Sequence, residues 1–144
     1  MSSGTRAALL AALALVVPAT GASAGSGGFQ TPSHNIACVM FDSHSAGAFV
    51  RCDSAHRDWA LPHKPHSAGC KELDFEGDVE VTASGKGHFI CAGDTILHQG
   101  AVLHYGHAKT VGRFTCSVTT KGVTCTNHRT HHGFFYSKES YRLF

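Results

Sequence analysis

Apolar and polar side chains alternate along much of the chain, with the period of two that is typical of half-buried β-strands. The clearest case is the segment 112–127. Single polar residues separate the apolar positions within its two predicted strands, which are Phe114, Cys116, Val118, Val123 and Cys125. A four-residue loop at 119–122 would place Cys116 opposite Cys125, at a separation that a cross-strand disulfide can bridge. We therefore predict a hairpin closed by its own disulfide.

The same alternation predicts two further hairpins and two short strands. The hairpins join residues 36–40 to 49–52 and residues 79–83 to 89–91, and the short strands begin at Ile96 and Ala101. In the second hairpin, a three-residue loop that ends at Gly87 would set Val81 opposite Cys91. No stretch after residue 24 shows a sustained helical period.

The C-terminal residues are predicted to form one short helical turn. Ser137 suits the N-cap of a turn at 138–143, which would place Tyr141 and Phe144 on one face. Together with the strands, this turn completes the predicted fold class. We expect an all-β protein, a small antiparallel sandwich or barrel built of hairpins, with three disulfides and a short C-terminal helical turn.

Residues 1–24 have the layout of a secretory signal peptide, in which Arg6 precedes an apolar run and small residues end at Ala24. The apolar run is shorter than the roughly 20 residues that a transmembrane helix needs. We therefore expect cleavage after Ala24, no remaining membrane anchor, and a secreted, extracellular protein. The predicted mature chain has a flexible lead at 25–28 and a single disulfide-stapled β domain at 29–144.

All six cysteines lie in the part of the chain that would be secreted, where the environment is oxidising. Of the pairings that six cysteines allow, we favour the sequential one, which joins Cys38 to Cys52, Cys70 to Cys91, and Cys116 to Cys125. Closing each loop is expected to contribute roughly 3 kcal/mol to the free energy of unfolding. The disulfides would then supply much of the stability of a small domain.

Charge and composition argue against some classes of partner. The formal net charge is +2, and basic residues occur in no run longer than a pair. This argues against binding to nucleic acid or to a membrane surface. The chain has 12 histidines, so its positive charge would rise at mildly acidic pH.

The segment 53–70 lacks periodicity and contains prolines, which predicts a surface loop. Its single tryptophan, Trp59, either packs the loop down onto the sheet or stands exposed as a platform for a ligand. If the loop is a contact surface, its candidate binding residues are Trp59, His63, Lys64 and His66.

Closely spaced histidines make a metal site an alternative. The best candidate is the group His128, His131 and His132, with zinc or copper as the ion that imidazole suits. Solvated surface histidines account for the same spacing, because the group lies in a predicted loop. We expect no other cofactor.

A catalytic site is harder to assemble from these residues. There is no nucleophile elbow, the cysteines are expected to be oxidised, and no glycine-rich loop leads from a strand into a helix. Asp94 is either a turn former or a general base. Arg51 is either a solvated or locally paired strand residue or, with Asp53, part of an acid and base pair. No catalytic residue is assigned.

Several motifs occur in an order that resembles a known family. They include Phe29-x-Thr31-Pro32-Ser33-x-Asn35-Ile36-x-Cys38, Val50-Arg51-Cys52-Asp53, Phe89-x-Cys91-Ala92-Gly93-Asp94-Thr95 and Gly133-Phe134-x-x-Ser137-x-x-x-Tyr141-x-Leu143-Phe144. The pattern is similar to a family of small secreted actinobacterial proteins that is catalogued as a domain of unknown function. The resemblance implies secretion and a disulfide-bonded domain, but no reaction, ligand or catalytic residue. His34 and His131 stand where that family commonly has small residues such as glycine.

The sequence therefore predicts a secreted β-scaffold that acts as a binding or interaction module with an unknown extracellular partner, because its loops face outward from a rigid framework. A histidine-based metal-binding protein is the first alternative. A small secreted hydrolase is the second.

Overall fold

The computed structural model describes Met1 and residues 25–144, so residues 2–24 of the predicted signal peptide lie outside the described part. A single short 3-10 helix occurs there, at Ala68–Cys70. The strands are β1 (Gly25–Gln30), β2 (Ile36–Ser43), β3 (Gly47–Ser54), β4 (Val79–Thr82), β5 (His88–Phe89), β6 (Ala101–Val102), β7 (Ala108–Val111), β8 (Phe114–Thr119), β9 (Gly122–Asn127), β10 (Gly133–Tyr136) and β11 (Tyr141–Leu143). Across the described residues, no helix is both long and apolar enough to span a membrane.

The strands form two sheets that pack face to face. The first sheet has the order β5-β4-β3-β2-β1-β6, and the second has the order β11-β10-β9-β8-β7. All neighbours are antiparallel except β1 and β6, which run parallel. The all-β prediction is confirmed, and residues 25–144 form a two-sheet sandwich rather than a barrel.

The core lies between the two sheets and contains two of the three disulfides. Cys38–Cys52 joins β2 to β3, and Cys116–Cys125 joins β8 to β9. The Sγ atoms of Cys38, Cys52 and Cys125 lie within 4.8 Å of one another, so the two disulfides meet at the centre of the sandwich. Cys70–Cys91 lies outside this core cluster. The sequential pairing is therefore confirmed.

The hairpin predicted at 112–127 is confirmed in its register. Cys116 pairs with Cys125 and Val118 pairs with Val123, as the four-residue turn requires. The side chains at all four positions are buried, because the period-two pattern turns them to the same inward face.

The structure replaces the flexible lead predicted at 25–28 with the first part of β1, which pairs with β2 along its whole length. Glycines show no alternation from which a strand could be predicted. At Gly28, a Cβ atom would lie only 3.2 Å from the backbone oxygen of Cys38 in β2, so the absence of a side chain lets the strands approach closely there. The glycine run thus belongs to the fold rather than preceding it.

The register predicted for the β4–β5 hairpin is wrong. Val79, rather than Val81, is the residue of β4 that reaches the returning strand, and its partner is Phe89. The end of β4 bonds to the second sheet instead, because the Asn127 side chain donates hydrogen bonds to the carbonyls of Thr82 and Ala83 at 3.1 and 3.0 Å. The hairpin loop is therefore longer than predicted.

The strand predicted to begin at Ile96 is also absent from the described residues. A turn follows Ile96 there, with the backbone N–H of Gln99 donating to the Ile96 carbonyl at 3.2 Å. The later strand, predicted from Ala101, is present as the two-residue β6. The Ile96 side chain is only 6% exposed. Its burial, and not a place in a strand, explains why the residue is apolar.

The predicted C-terminal helical turn is wrong, because the chain reverses there and returns as β11. The Ser137 hydroxyl accepts hydrogen bonds from the N–H groups of Glu139 and Ser140, and the Ser137 N–H donates to the Ser140 carbonyl. A serine that caps a helix and a serine that closes a tight turn use the same bonds, so the residue alone does not distinguish them. Tyr141 then pairs with Tyr136.

Candidate binding site

The loop between β3 and β4 is fastened to the sandwich by Trp59. Its indole ring lies 4.7 Å from the ring of Tyr141, and its Nε1–H donates to the Ser137 carbonyl at 3.1 Å. Of the two interpretations of Trp59, packing is therefore the one that the structure shows. The exposed edge of the ring lines a shallow depression with Arg57 and Lys138. A ligand contact at that edge stays a prediction.

The second fastening of this loop is the Cys70–Cys91 disulfide. Cys70 ends the 3-10 helix and is buried, whereas Cys91 follows the edge strand β5. The bond therefore holds the loop beside an edge of the first sheet. At the same place the last strand, β11, ends, and the N–H of Gly87 donates to the Phe144 carbonyl at 3.1 Å.

A cleft of about 540 Å³ lies between the loop and these strand edges. Its apolar lining comes from Pro65, Leu73, Phe89, Ile90 and Leu143, together with the Cys70–Cys91 disulfide. Leu73 is 37% exposed and leaves part of its apolar side chain open to the cleft. The volume is within the range of ligand pockets in proteins, and the lining suits an apolar group.

The ionisable side chains around this cleft are all basic. His63 and His88 line the cleft itself. An adjoining depression of about 300 Å³ shares Pro65, Ser67 and Cys70 with it and adds Lys64, His66 and Lys71. No acidic side chain is among the described residues that line either depression. We call the two together the basic cleft.

Contacts position two of the basic groups, Lys64 and His88. The Lys64 ammonium donates to the Leu73 carbonyl at 2.8 Å, which joins two parts of the loop. The imidazole of His88 lies 3.5 Å from Glu80, and its hydrogen bond to that carboxylate raises the pKa of His88. His88 therefore keeps its positive charge to a higher pH than an isolated histidine.

The structure separates the four predicted binding residues. His63 borders the apolar part of the basic cleft, Lys64 and His66 line its adjoining part, and Trp59 lies outside it. Sequence reasoning missed Lys71 and Leu73, which lie farther along the same loop. It also missed His88, Phe89 and Leu143, which other elements contribute. The predicted Cys70–Cys91 disulfide could have indicated these residues, because it brings the chain segments around the two cysteines together.

The three histidines of the predicted metal site lie on the turn between β9 and β10 without converging. Within residues 25–144, the only three potential ligand side chains grouped within 4.8 Å are Cys38, Cys52 and Cys125. Those cysteines are in disulfides and offer no thiolate. His128 Nε2 instead bonds to the Thr115 hydroxyl at 2.6 Å. Zinc or copper binding by His128, His131 and His132 stays a prediction.

Asp94 and Arg51, the residues considered for catalysis, fasten a crossing segment of the chain. Residues 91–100, which we call the strap, connect β5 at one edge of the first sheet to β6 at the other. Arg51 binds the Asp94 carboxylate at 2.9 Å and its carbonyl at 2.8 Å, and it also binds Asp53 at 2.8 Å. Asp53 accepts a hydrogen bond from the N–H of Ile96 at 3.0 Å. These charges therefore support the fold.

The pKa of Asp94 is lowered by its hydrogen bond to Arg51, although its side chain is 75% exposed. A carboxylate that stays ionised and bound to a guanidinium is a poor general base. Asp94 also lines none of the depressions described above. A hydrolase is therefore not favoured.

A family model described as a family of unknown function (DUF6636) matches residues 8–144. The chain belongs to this family. No curated protein and no solved structure matches it. Membership of DUF6636 confirms the resemblance at the level of the family and assigns no reaction. The basic cleft must therefore be interpreted from its own chemistry.

Proposed function

We propose that this domain is a secreted binding module that acts outside the cell. Three disulfides and an all-β framework support this role, because such domains remain folded in oxidising surroundings. The predicted signal peptide at 1–24 supports export. The contact surface that we propose is the basic cleft, and its partner is another extracellular protein.

The observation that carries the proposal is the combination of an apolar floor with a rim of one charge. Leu73, Phe89 and Leu143 offer a place for an apolar side chain, and the lining around them contains histidines and lysines but no acidic side chain. Glu80, which pairs with His88, lies outside the lining. A partner that fits both features presents an apolar side chain flanked by Asp or Glu. Such charge complementarity raises the association rate and selects the partner.

The first test is capture of a partner from the medium of the producing cells, followed by binding measurements with that partner in purified form. The wild-type domain, Leu73→Glu and Val102→Glu are immobilised in parallel. Leu73 and Val102 are both 37% exposed, and Val102 lies on β6, away from the cleft, so it is a matched control. We expect Leu73→Glu to weaken binding at least tenfold, because it places a charge on the apolar floor.

Charge reversal separates this partner from a merely apolar one. Lys71→Glu is expected to weaken binding and reduce its salt dependence, because it removes one attraction to the acidic flank. Binding should strengthen as the pH falls through the range in which histidine gains charge. The proposal is contradicted if nothing is retained, if the purified partner binds Leu73→Glu as well as wild type, or if added salt has no effect.

A further inference from the structure

A second pocket lies where three turns meet at one end of the sandwich. They are the turn between β1 and β2, the β8–β9 turn at 119–122, and the turn that begins at Ser137. The pocket encloses about 200 Å³ and shares no lining residue with the basic cleft. We call it the end pocket.

The backbone around the end pocket is held by its own hydrogen bonds. The Thr31 hydroxyl lies 3.1 Å from the Ser33 hydroxyl, and the Thr119 hydroxyl accepts from the N–H of Lys121 at 3.2 Å. The Ser137 hydroxyl donates to the Ser140 carbonyl and accepts from the Ser140 N–H, both at 3.0 Å. A ligand would therefore meet a preformed site, and little ordering would be needed when it binds.

Four side chains of the end pocket keep their hydrogen-bonding capacity for a ligand. These are the phenol of Tyr105, the hydroxyl of Thr120, the ammonium of Lys121 and the carboxylate of Glu139, all of which line the pocket. Within the described residues, none of these four functional groups makes a hydrogen bond or an ion pair. The second lysine, Lys138, lies 3.4 Å from Asp58 and is balanced by it.

The mixture of groups indicates the ligand chemistry. One cation and one anion leave no net charge to select a phosphate or a carboxylate, and the set offers both donors and acceptors. Tyr105 is 42% exposed and adds an aromatic ring at the pocket edge, and Ile36 adds a buried apolar wall. A ligand that uses all of these has many hydroxyl groups and an apolar C–H face.

We propose that the end pocket binds one sugar unit of a neutral oligosaccharide. The sugar ring packs against Tyr105, as an amphipathic aromatic ring allows. Its hydroxyl groups bind Thr120, Lys121 and Glu139. This proposal is independent of the basic cleft, because the two sites have different lining residues and different ligand chemistry.

The test is a titration of the ¹⁵N-labelled, disulfide-intact protein with maltohexaose, cellohexaose and chitohexaose, each followed by NMR. At least one saccharide, at up to about 10 mM, is expected to shift the amides near Tyr105, 119–122 and 137–139, with a Kd of about 1 mM. Tyr105→Ala should weaken that binding at least about fivefold, whereas Tyr105→Phe, which keeps the ring, should weaken it less. The exposure of Tyr105 makes both variants compatible with folding, which the same spectra verify.

Leu73→Glu serves as the control from the other site and should leave the saccharide titration unchanged. The proposal is overturned if none of the three saccharides shifts these amides, if the shifts lie elsewhere, or if Tyr105→Ala binds as tightly as wild type. Equal shifts with inorganic phosphate would overturn the assignment to a neutral ligand. None of these outcomes depends on whether the basic cleft binds a protein.

Discussion

The centre of the sandwich and the region around the basic cleft use the same covalent device with different support. In the centre, Cys38–Cys52 joins two strands of eight residues each, and both cysteines are buried. Beside the cleft, Cys70–Cys91 joins a three-residue helix to the chain just after a two-residue strand. Strand pairing, packing and disulfide all specify the same arrangement in the centre. In the loop region, one covalent bond, the packing of Trp59 and a few polar contacts must do so, which leaves its surface side chains freer to serve binding.

The largest expected effect distinguishes the two kinds of disulfide. Replacing Cys38 and Cys52 by alanine should lower the free energy of unfolding by about 5 kcal/mol, because the loss of the crosslink adds to a defect in the core. Replacing Cys70 and Cys91 should lower it by about 3 kcal/mol and leave the core intact. Urea unfolding of both variants, with near-ultraviolet circular dichroism as the measure of core packing, tests the comparison. Equal losses in both properties would contradict it.

A substitution of Arg51 tests whether its ion pairs with Asp53 and Asp94 hold the strap in place. Arg51→Met should lower the free energy of unfolding by about 3 kcal/mol, because the buried carboxylate of Asp53 loses its partner. Lys138→Met is the matched control, since its pair with Asp58 is about half exposed on both sides. It should change the stability by less than about 1 kcal/mol. If the two variants lose similar stability in urea unfolding, the buried Arg51 pair contributes no more than the exposed Lys138 pair, and the prediction is contradicted.

Asp78, next to Arg51, gives the loop region a dependence on pH. Burial, with a contribution from the nearby Asp53, raises the pKa of Asp78 from 3.8 to about 7. The folded protein therefore binds a proton more tightly than the unfolded chain, so this group lowers stability as the pH rises from about 4 to about 7.

Asp78→Asn removes that proton equilibrium. Relative to wild type, the variant should gain about 2 kcal/mol of stability between about pH 4 and pH 8, after allowance for screening by solvent. Urea unfolding of both proteins across this range measures the difference, in which the titration of other groups cancels. A difference that does not change with pH would show that Asp78 is not the group responsible.

The smallest expected effect concerns His131, which lies in the turn between β9 and β10 with a φ of 60°. Side chains with a Cβ atom are strained in this left-handed region, whereas glycine is not. His131→Gly should therefore raise the free energy of unfolding by about 0.5–1 kcal/mol. His132→Gly, next to it at an ordinary φ, should lower it by a similar amount. Thermal unfolding distinguishes the two, and a loss of stability in both would be evidence against strain at His131.

How much of the fold could be predicted depends on how far apart in sequence the residues that make the determining contacts are. The hairpin of β8 and β9 is specified by neighbours within 16 residues of sequence, so its alternation and turn identify its register. β1 lacks such a signal, because its glycines show no alternation and their neighbours in β2 and β7 are brought close only by the fold. The turn at Ser137 depends on pairing with β10, which the same serine does not reveal. The positive φ values of His34 and His131 agree with the small residues expected there from the family resemblance.

The candidate site was predictable only in part for the same reason. The loop that contributes His63, Lys64 and His66 is evident from its prolines and missing periodicity. Its apolar floor joins Leu73 of the same loop to Phe89 of β5 and Leu143 of β11, which are distant in sequence and meet only in the fold. Arg51 shows the converse, since an arginine on a strand suggests a solvated face until the strap covers it.

The meeting of the two central disulfides also means that their contributions to stability are not independent. The sulfur atoms of Cys38 and Cys52 lie within 4.8 Å of the sulfur atom of Cys125. Removing either disulfide therefore changes the packing around the other. Contacting residues commonly show coupling energies of about 0.5–3 kcal/mol. In a double-mutant cycle on the two central disulfides, the change in the free energy of unfolding on removing both should therefore differ from the sum of the two separate changes. A cycle that combines one central disulfide with Cys70–Cys91 should be additive. In energetic terms, the centre of this protein is one crosslinked unit that happens to contain two bonds.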